Sequence, residues 1–268
     1  MVAPSPVIKK TAKTALSGHW LQSIVVSVVF VFSFFIGELA ASLVSIVSDN
    51  AGYIIFLVLF AVFILSPLSL GVLCWFRRIL WGQNDGLLLI FKYFSNKNEY
   101  MRAVHLTLIL TVKIAVSAII MFFPCIIVWV LSSEWFYLLL DLPFPVWTSS
   151  LWTLNSFLAI IGALGLVFVA IRYYLSAFLF VSDSNIHPAE AVNMSTIISK
   201  RSGGDFIGLV LSFAGWLLLS LFIAPLIFTL PYFIESYVVH CRYAITAYNR
   251  DIDRFNAQNM PYYRADEV

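Results

Sequence analysis

The chain has 268 residues, 61% of them hydrophobic and only 11% charged, with a formal net charge of +2. A soluble domain carries about 25% charged residues, so this composition excludes an ordinary soluble enzyme and points to an integral membrane protein. So small a net charge gives no footprint for nucleic acid.

The three cysteines, Cys74, Cys125 and Cys241, lie far apart in or beside apolar runs, and no CxxC pair occurs. That spacing argues against a metal site or a redox motif and reads as buried free thiols. Lys9, Lys10 and Lys13 form a basic arm before the first apolar run. A secretory signal has an apolar region of about 7–15 residues. The run at 20–47 is far longer, so it reads as an uncleaved first span.

Taken in order, apolar spans are expected at 20–47, 53–76, 103–131 and 151–181. Each is long enough for a hydrocarbon core of about 30 Å, which needs roughly 20 helical residues. The first two spans are joined by a short turn at 48–52. The second ends at Arg77-Arg78, before a connection in which Asp85 could cap a short lipid-surface helix at 86–94. The loop at 132–150 carries Trp135, Phe136, Tyr137, Phe144 and Trp147 around Pro143 and Pro145. Aromatic residues favour the membrane–water boundary, so this loop is expected to rest on the bilayer.

A polar connection follows at 182–204, with a short helix predicted from Pro188, a residue suited to a first helical position. Gly203-Gly204 reads as cap and hinge. The stretch at 205–248 is too long for one crossing and contains Pro225 and Pro231. It reads as a helical hairpin with spans at 205–222 and 226–248, followed by a polar tail at 250–268.

Basic residues then set the orientation. Six crossings place Lys9, Lys10, Lys13, Arg77, Arg78, Lys92, Lys97, Arg102, Lys200, Arg201, Arg250, Arg254 and Arg264 on one side, and leave the opposite loops without Lys or Arg. Cytoplasmic loops are enriched in Lys and Arg. The expected fold is therefore an all-α, polytopic transmembrane helical bundle of six spans, with both termini cytoplasmic. A bacterial cytoplasmic membrane is the expected location.

Short strings along the chain carry a resemblance. LSFAGW at 211–216 followed by Pro231-Tyr232, the opening AKTALSGHW at 12–20, PLSLG at 67–71, and the polar stretch at 183–195 with Ala189-Glu190-Ala191 before Ser195 recur in one pattern. Together they resemble an uncharacterised multi-pass family of Gram-positive bacteria (domain of unknown function 975). The chain departs from that pattern at Pro124-Cys125, where the family has Pro-Gly, and in the aromatic loop at 132–150. The resemblance implies a six-span bundle and supplies no activity.

No Walker loop, HExxH, GxSxG or dinucleotide turn is present in the sequence. A non-enzymatic protein without cofactor is therefore expected. Within the spans, Glu38, Lys113, Arg172, Glu235 and Arg242 are ionisable, accompanied by His240. Intramembrane charges are expensive and face the bundle or a wet cavity. Depth counting lets Glu38, Lys113, Arg172 and Glu235 meet near mid-membrane, either as structural ion pairs or as a polar solute or proton pathway.

Gly204, Gly208, Ser212 and Gly215 recur at helical spacing and read as a helix-packing seam, as do Ser33, Gly37, Ala41 and Ser45 in the first span. The leading functional reading is binding or moving a small polar or amphipathic solute. The alternative is a scaffold or assembly factor that meets a protein partner, or a second copy of the chain, through its cytoplasmic loops. Beyond the lipid bilayer, neither solute nor partner is named by these residues.

Overall fold

The computed structural model describes residues 3–47, 50–83, 86–141, 148–219 and 223–259. Every regular element among them is helical. Helix α1 (Ser5–Leu16) turns through Gly18 into α2 (Trp20–Val47). Helix α3 (Asn50–Phe60) returns and passes through a π-helical turn (Ala61–Leu65) into α4 (Ser66–Leu80). A 3-10 turn (Leu87–Phe91) and α5 (Lys92–Ser95) lead to the long α6 (Lys97–Ser132), started by Asn96, whose side chain accepts from the Asn98 amide at 2.9 Å. Next come α7 (Glu134–Leu139), α8 (Thr148–Arg172) and α9 (Ser176–Ser182). The chain continues through α10 (Pro188–Ser212), α11 (Ala214–Leu219) and α12 (Ile223–Asn259).

Among the described residues, four helical stretches are long and apolar enough to cross a membrane: Trp20–Ile46, Asn50–Leu80, Lys97–Ser132 and Ser150–Ser182. They correspond to the first four expected spans and mark a membrane protein. Their outer parts pair as two hairpins, α2 with α3 and α6 with α8. Small residues allow the close approach. The Phe60 ring lies against Gly37, and Met121 lies against Gly165. Outside these seams the hairpins expose Phe35, Leu39, Ile46, Ile54, Ile119, Phe123, Phe157 and Phe168, an apolar surface that a bilayer covers.

The inner parts of the same helices build a packed core with α9, α10 and α12. Most of α4 is buried there, including Leu70, Val72, Trp75 and Phe76, beside Phe178 to Val181, Val192 and Val238. Thirty-six residues of α6 span about 54 Å at 1.5 Å per residue, well beyond a hydrocarbon core, and its first turns belong to this core.

Two arginines hold the connection before α10. Arg77 donates to the carbonyls of Val181 at 3.1 Å and Ser182 at 3.2 Å. Arg102 donates to the carbonyls of Ser184 and, at 2.7 Å, Ile186. The segment after Arg78 folds back so closely that a Cβ on Gly71 would lie 1.8 Å from the Ile90 carbonyl oxygen. The helix expected at 86–94 is thus half core: Ile90 and Tyr93 are buried while Leu88 faces out. The Asp85 cap, and Phe144 and Trp147 of the aromatic loop, lie outside the described residues.

The last third differs from expectation. His187 accepts from the Ala189 amide through Nδ1 at 3.3 Å and caps α10, with Pro188 in its first turn. The helix then passes straight through Gly203-Gly204, where a hinge was expected. The break comes instead at Phe213. Pro225 and Pro231 lie inside α12 rather than in the turn, and α12 continues through the start of the expected tail to Asn259.

Gly204, Gly208, Ser212 and Gly215 are exposed, and among the described residues a Cβ on any of these glycines would meet nothing within 4 Å. That face is therefore no seam between the described helices. The packed face of α10 is carried by Ala191, Ser195, Ser199, Ser202 and Gly203, with the Gly203 position against Ile171.

Candidate functional site

The small hydroxyls of α10 recur as Ser195, Ser199 and Ser202, offsets of four and three that line one helical face. They meet the turn that ends α8. Ser195 Oγ donates to the Arg172 carbonyl at 2.9 Å and accepts from the Leu175 amide at 3.2 Å, while Ser199 Oγ donates to the same carbonyl at 3.1 Å. These serines satisfy backbone groups that a helix end leaves unpaired. They fix Tyr174, which is half-buried against the core, and the Tyr237 hydroxyl also donates to the Tyr174 carbonyl.

From there a polar chain runs between three elements. The Tyr174 hydroxyl lies 2.8 Å from Ser202 Oγ and 3.0 Å from His240 Nε2. Phe206 stacks on Tyr174 with centroids 4.3 Å apart, closing the chain on one side. Helices α10 and α12 run antiparallel here: Arg201 pairs with Asp251 at 2.6 Å, Phe206 meets His240, and Phe213 meets Tyr232 and Phe233. Between them lies a groove of about 300 Å³, lined on α10 by Arg201, Ser202 and Asp205 and on α12 by Tyr248 and Asp251. Ser202 belongs to both the groove wall and the buried chain.

The ionisable residues singled out in the sequence are dispersed. Glu38 accepts from the Tyr53 hydroxyl near the far end of the first hairpin. Lys113 reaches Asn193 Oδ1 at 3.4 Å and lies 5.9 Å from the Tyr173 ring. Arg172 is exposed. Arg242 rests on the Trp81 ring at 4.7 Å. Glu235 is fully buried, and neither carboxylate oxygen has a hydrogen-bond partner among the described residues. No ion pair joins any two of these five, so the expected meeting of Glu38, Lys113, Arg172 and Glu235 does not occur.

What the structure brings together instead is Tyr174, Ser202 and His240, with Asp205, Tyr248 and Asp251 at the groove. The serine periodicity of α10 was the available sequence signal for this site. It lay in a segment read as a polar connection.

Comparison with known proteins returns no match: no family model, no curated protein and no solved structure.

Proposed function

We propose that this chain is a multi-pass membrane protein that binds a small polar solute in the α10–α12 groove. The observation that carries this reading is the double role of Ser202, which lines the groove and hydrogen-bonds Tyr174, itself bonded to the buried His240. A polar floor continuous with a buried network suits recognition of a hydrogen-bonding ligand. Arg201 is occupied by Asp251, so Asp205 remains as a carboxylate on the wall and favours a solute with a cationic group. The reading is non-enzymatic, with no cofactor.

The membrane placement that fits best has four crossings, with the α10–α12 hairpin held at the basic surface. Charged groups accompany that hairpin along its length: Arg201 and Asp251 at one end, and Lys9 on the Ser212 carbonyl eleven residues on. Trp216, Phe228 and Thr229 share a hollow with Lys13 and Trp20, the first residue of α2. Beyond those residues, the exposed Leu218, Leu219, Leu226 and Ile227 are left to enter hydrocarbon. Like the six-span arrangement, this one leaves both termini on the same side, and the basic loops favour the cytoplasm of a bacterial cell. Membership of the domain of unknown function 975 family is proposed on the quoted strings alone.

The scaffold alternative is favoured by one observation. The open glycine face of α10 is a surface on which another helix could pack closely.

The test is thermal unfolding of the purified protein in neutral detergent with choline or spermidine, and with glutamate as the anionic control. The cationic probes should stabilise the wild type and lose their effect in Ser202→Ala and Asp205→Asn. No stabilisation, or equal stabilisation of Asp205→Asn, would reject the site. Uptake by proteoliposomes then separates movement from binding.

A further inference from the structure

A second groove, of about 370 Å³, opens on the other side of α12, between α1 and the end of α4. Its polar lining is Arg242, Thr246 and Arg250 from α12, with Tyr243 and Thr11, and among the described residues no acidic side chain contributes to it. Arg242, Thr246 and Arg250 are spaced by four, so they line one face of the helix. Asp251, the carboxylate adjoining Arg250, is paired with Arg201 on the opposite groove. Thr11 and Thr246 spend their hydroxyl protons on the Val7 and Arg242 carbonyls, so two guanidiniums and the Tyr243 hydroxyl share a concave site without counter-charge among the described residues.

We propose that this groove binds the phosphate of an anionic membrane lipid. Guanidinium is planar and matches phosphate oxygens with paired hydrogen bonds, which a lysine ammonium does not do. The Trp81 ring under Arg242, at 4.7 Å, holds that guanidinium in place before a ligand arrives.

Three features favour a lipid over a soluble phosphate. Trp81 is 57% exposed at the end of a membrane-crossing stretch, where indole rings mark the bilayer surface. Helix α1 forms the opposite wall and carries Lys9, Lys10 and Lys13, a basic arm of the kind drawn to anionic leaflets. Leu80 gives the groove an apolar side on which the glycerol and upper acyl carbons can lie.

The experiment is native mass spectrometry and thermal unfolding of the full chain in neutral detergent. The probes are phosphatidylglycerol, phosphatidylcholine and inorganic phosphate. Phosphatidylglycerol should be retained as a bound adduct and raise the unfolding temperature more than phosphatidylcholine. Arg242→Gln with Arg250→Gln should weaken its binding about tenfold or more, as expected for loss of charge-assisted hydrogen bonds. Arg250→Gln alone, at an exposed position, keeps the test valid if the double variant fails to accumulate, and should weaken binding in the same direction. Equal retention of the two lipids, or retention unchanged in Arg250→Gln and in the double variant, would overturn the proposal. Protection by inorganic phosphate equal to that by phosphatidylglycerol would overturn the lipid assignment and make the ligand a soluble phosphate.

Discussion

The ammonium of Lys9 donates to the Ser212 carbonyl at 2.6 Å and lies 4.1 Å from the centroid of the Phe213 ring. A residue of the N-terminal arm thus caps α10 at its break, where carbonyls lose their helical partners and a cation is favourable. The Tyr232 hydroxyl donates to the Lys9 carbonyl at 3.4 Å, and Ile8 and Ala12 are buried beside Leu209, Phe213 and Val239. Helix α1 is therefore part of the hairpin's packing. Lys9→Met should lower stability by about 1 kcal/mol, read as a fall in unfolding temperature, while Lys9→Arg should retain most of it. Identical unfolding for Lys9→Met would show that the contact contributes nothing.

Gly71 and Gly204 should respond oppositely to alanine. At Gly71 the new methyl would overlap the Ile90 backbone, which no side-chain rotation relieves. A loss of about 1–3 kcal/mol or more is expected. At Gly204 the added Cβ meets nothing, so the gain in helix propensity, up to about 1 kcal/mol, should appear as mild stabilisation. Thermal unfolding of the two single variants decides it, and a destabilised Gly204→Ala would indicate a partner packed on the open face.

Glu235 is buried without a cation, because Lys113 reaches Asn193 and Arg242 rests on Trp81. An uncompensated buried carboxylate costs free energy. Glu235→Gln should consequently leave stability unchanged or raise it. Combining it with Lys113→Met should be additive within about 0.5 kcal/mol, as for residues that do not touch. Strong coupling in that double-mutant cycle would restore the mid-membrane ion pair.

Tyr174→Phe removes one hydroxyl that serves both Ser202 and His240. Ser202 Oγ keeps its bond to the Ile198 carbonyl at 3.1 Å, so the buried His240 Nε2 is the group left without its partner. That costs about 1–3 kcal/mol, so the variant should unfold earlier. Full stability in Tyr174→Phe would mean that His240 finds another partner.

Thiol labelling separates four crossings from six. The native cysteines are buried, so single introduced cysteines report position. An impermeant reagent applied outside intact cells should modify Glu134→Cys and should miss Asn98→Cys and Leu226→Cys. Labelling of Leu226→Cys from outside would establish the hairpin as two full crossings.

Periodicity and hydropathy were enough to place the four long apolar helices found among the described residues, because a bilayer acts on each span separately and leaves a local signature. The close contact of Gly37 with its neighbour was legible for the same reason: a small residue at helical spacing in an apolar run has few other uses. The hairpin at 205–248 was not settled by composition. Its apolar residues serve two environments, the packed core around Val238 and Cys241 and the exposed tip at Leu218 and Phe228, and both look alike in a sequence. Only tertiary structure decided which small face of α10 packs, since Gly204 and Gly208 differ from Ser199 and Ser202 by a rotation about the helix axis that depends on where α8 and α12 lie. The same holds for the candidate site. Tyr174, Ser202 and His240 are separated by 28 and 66 residues along the chain from Tyr174, and their convergence follows from the antiparallel register of α10 and α12 on the turn that ends α8.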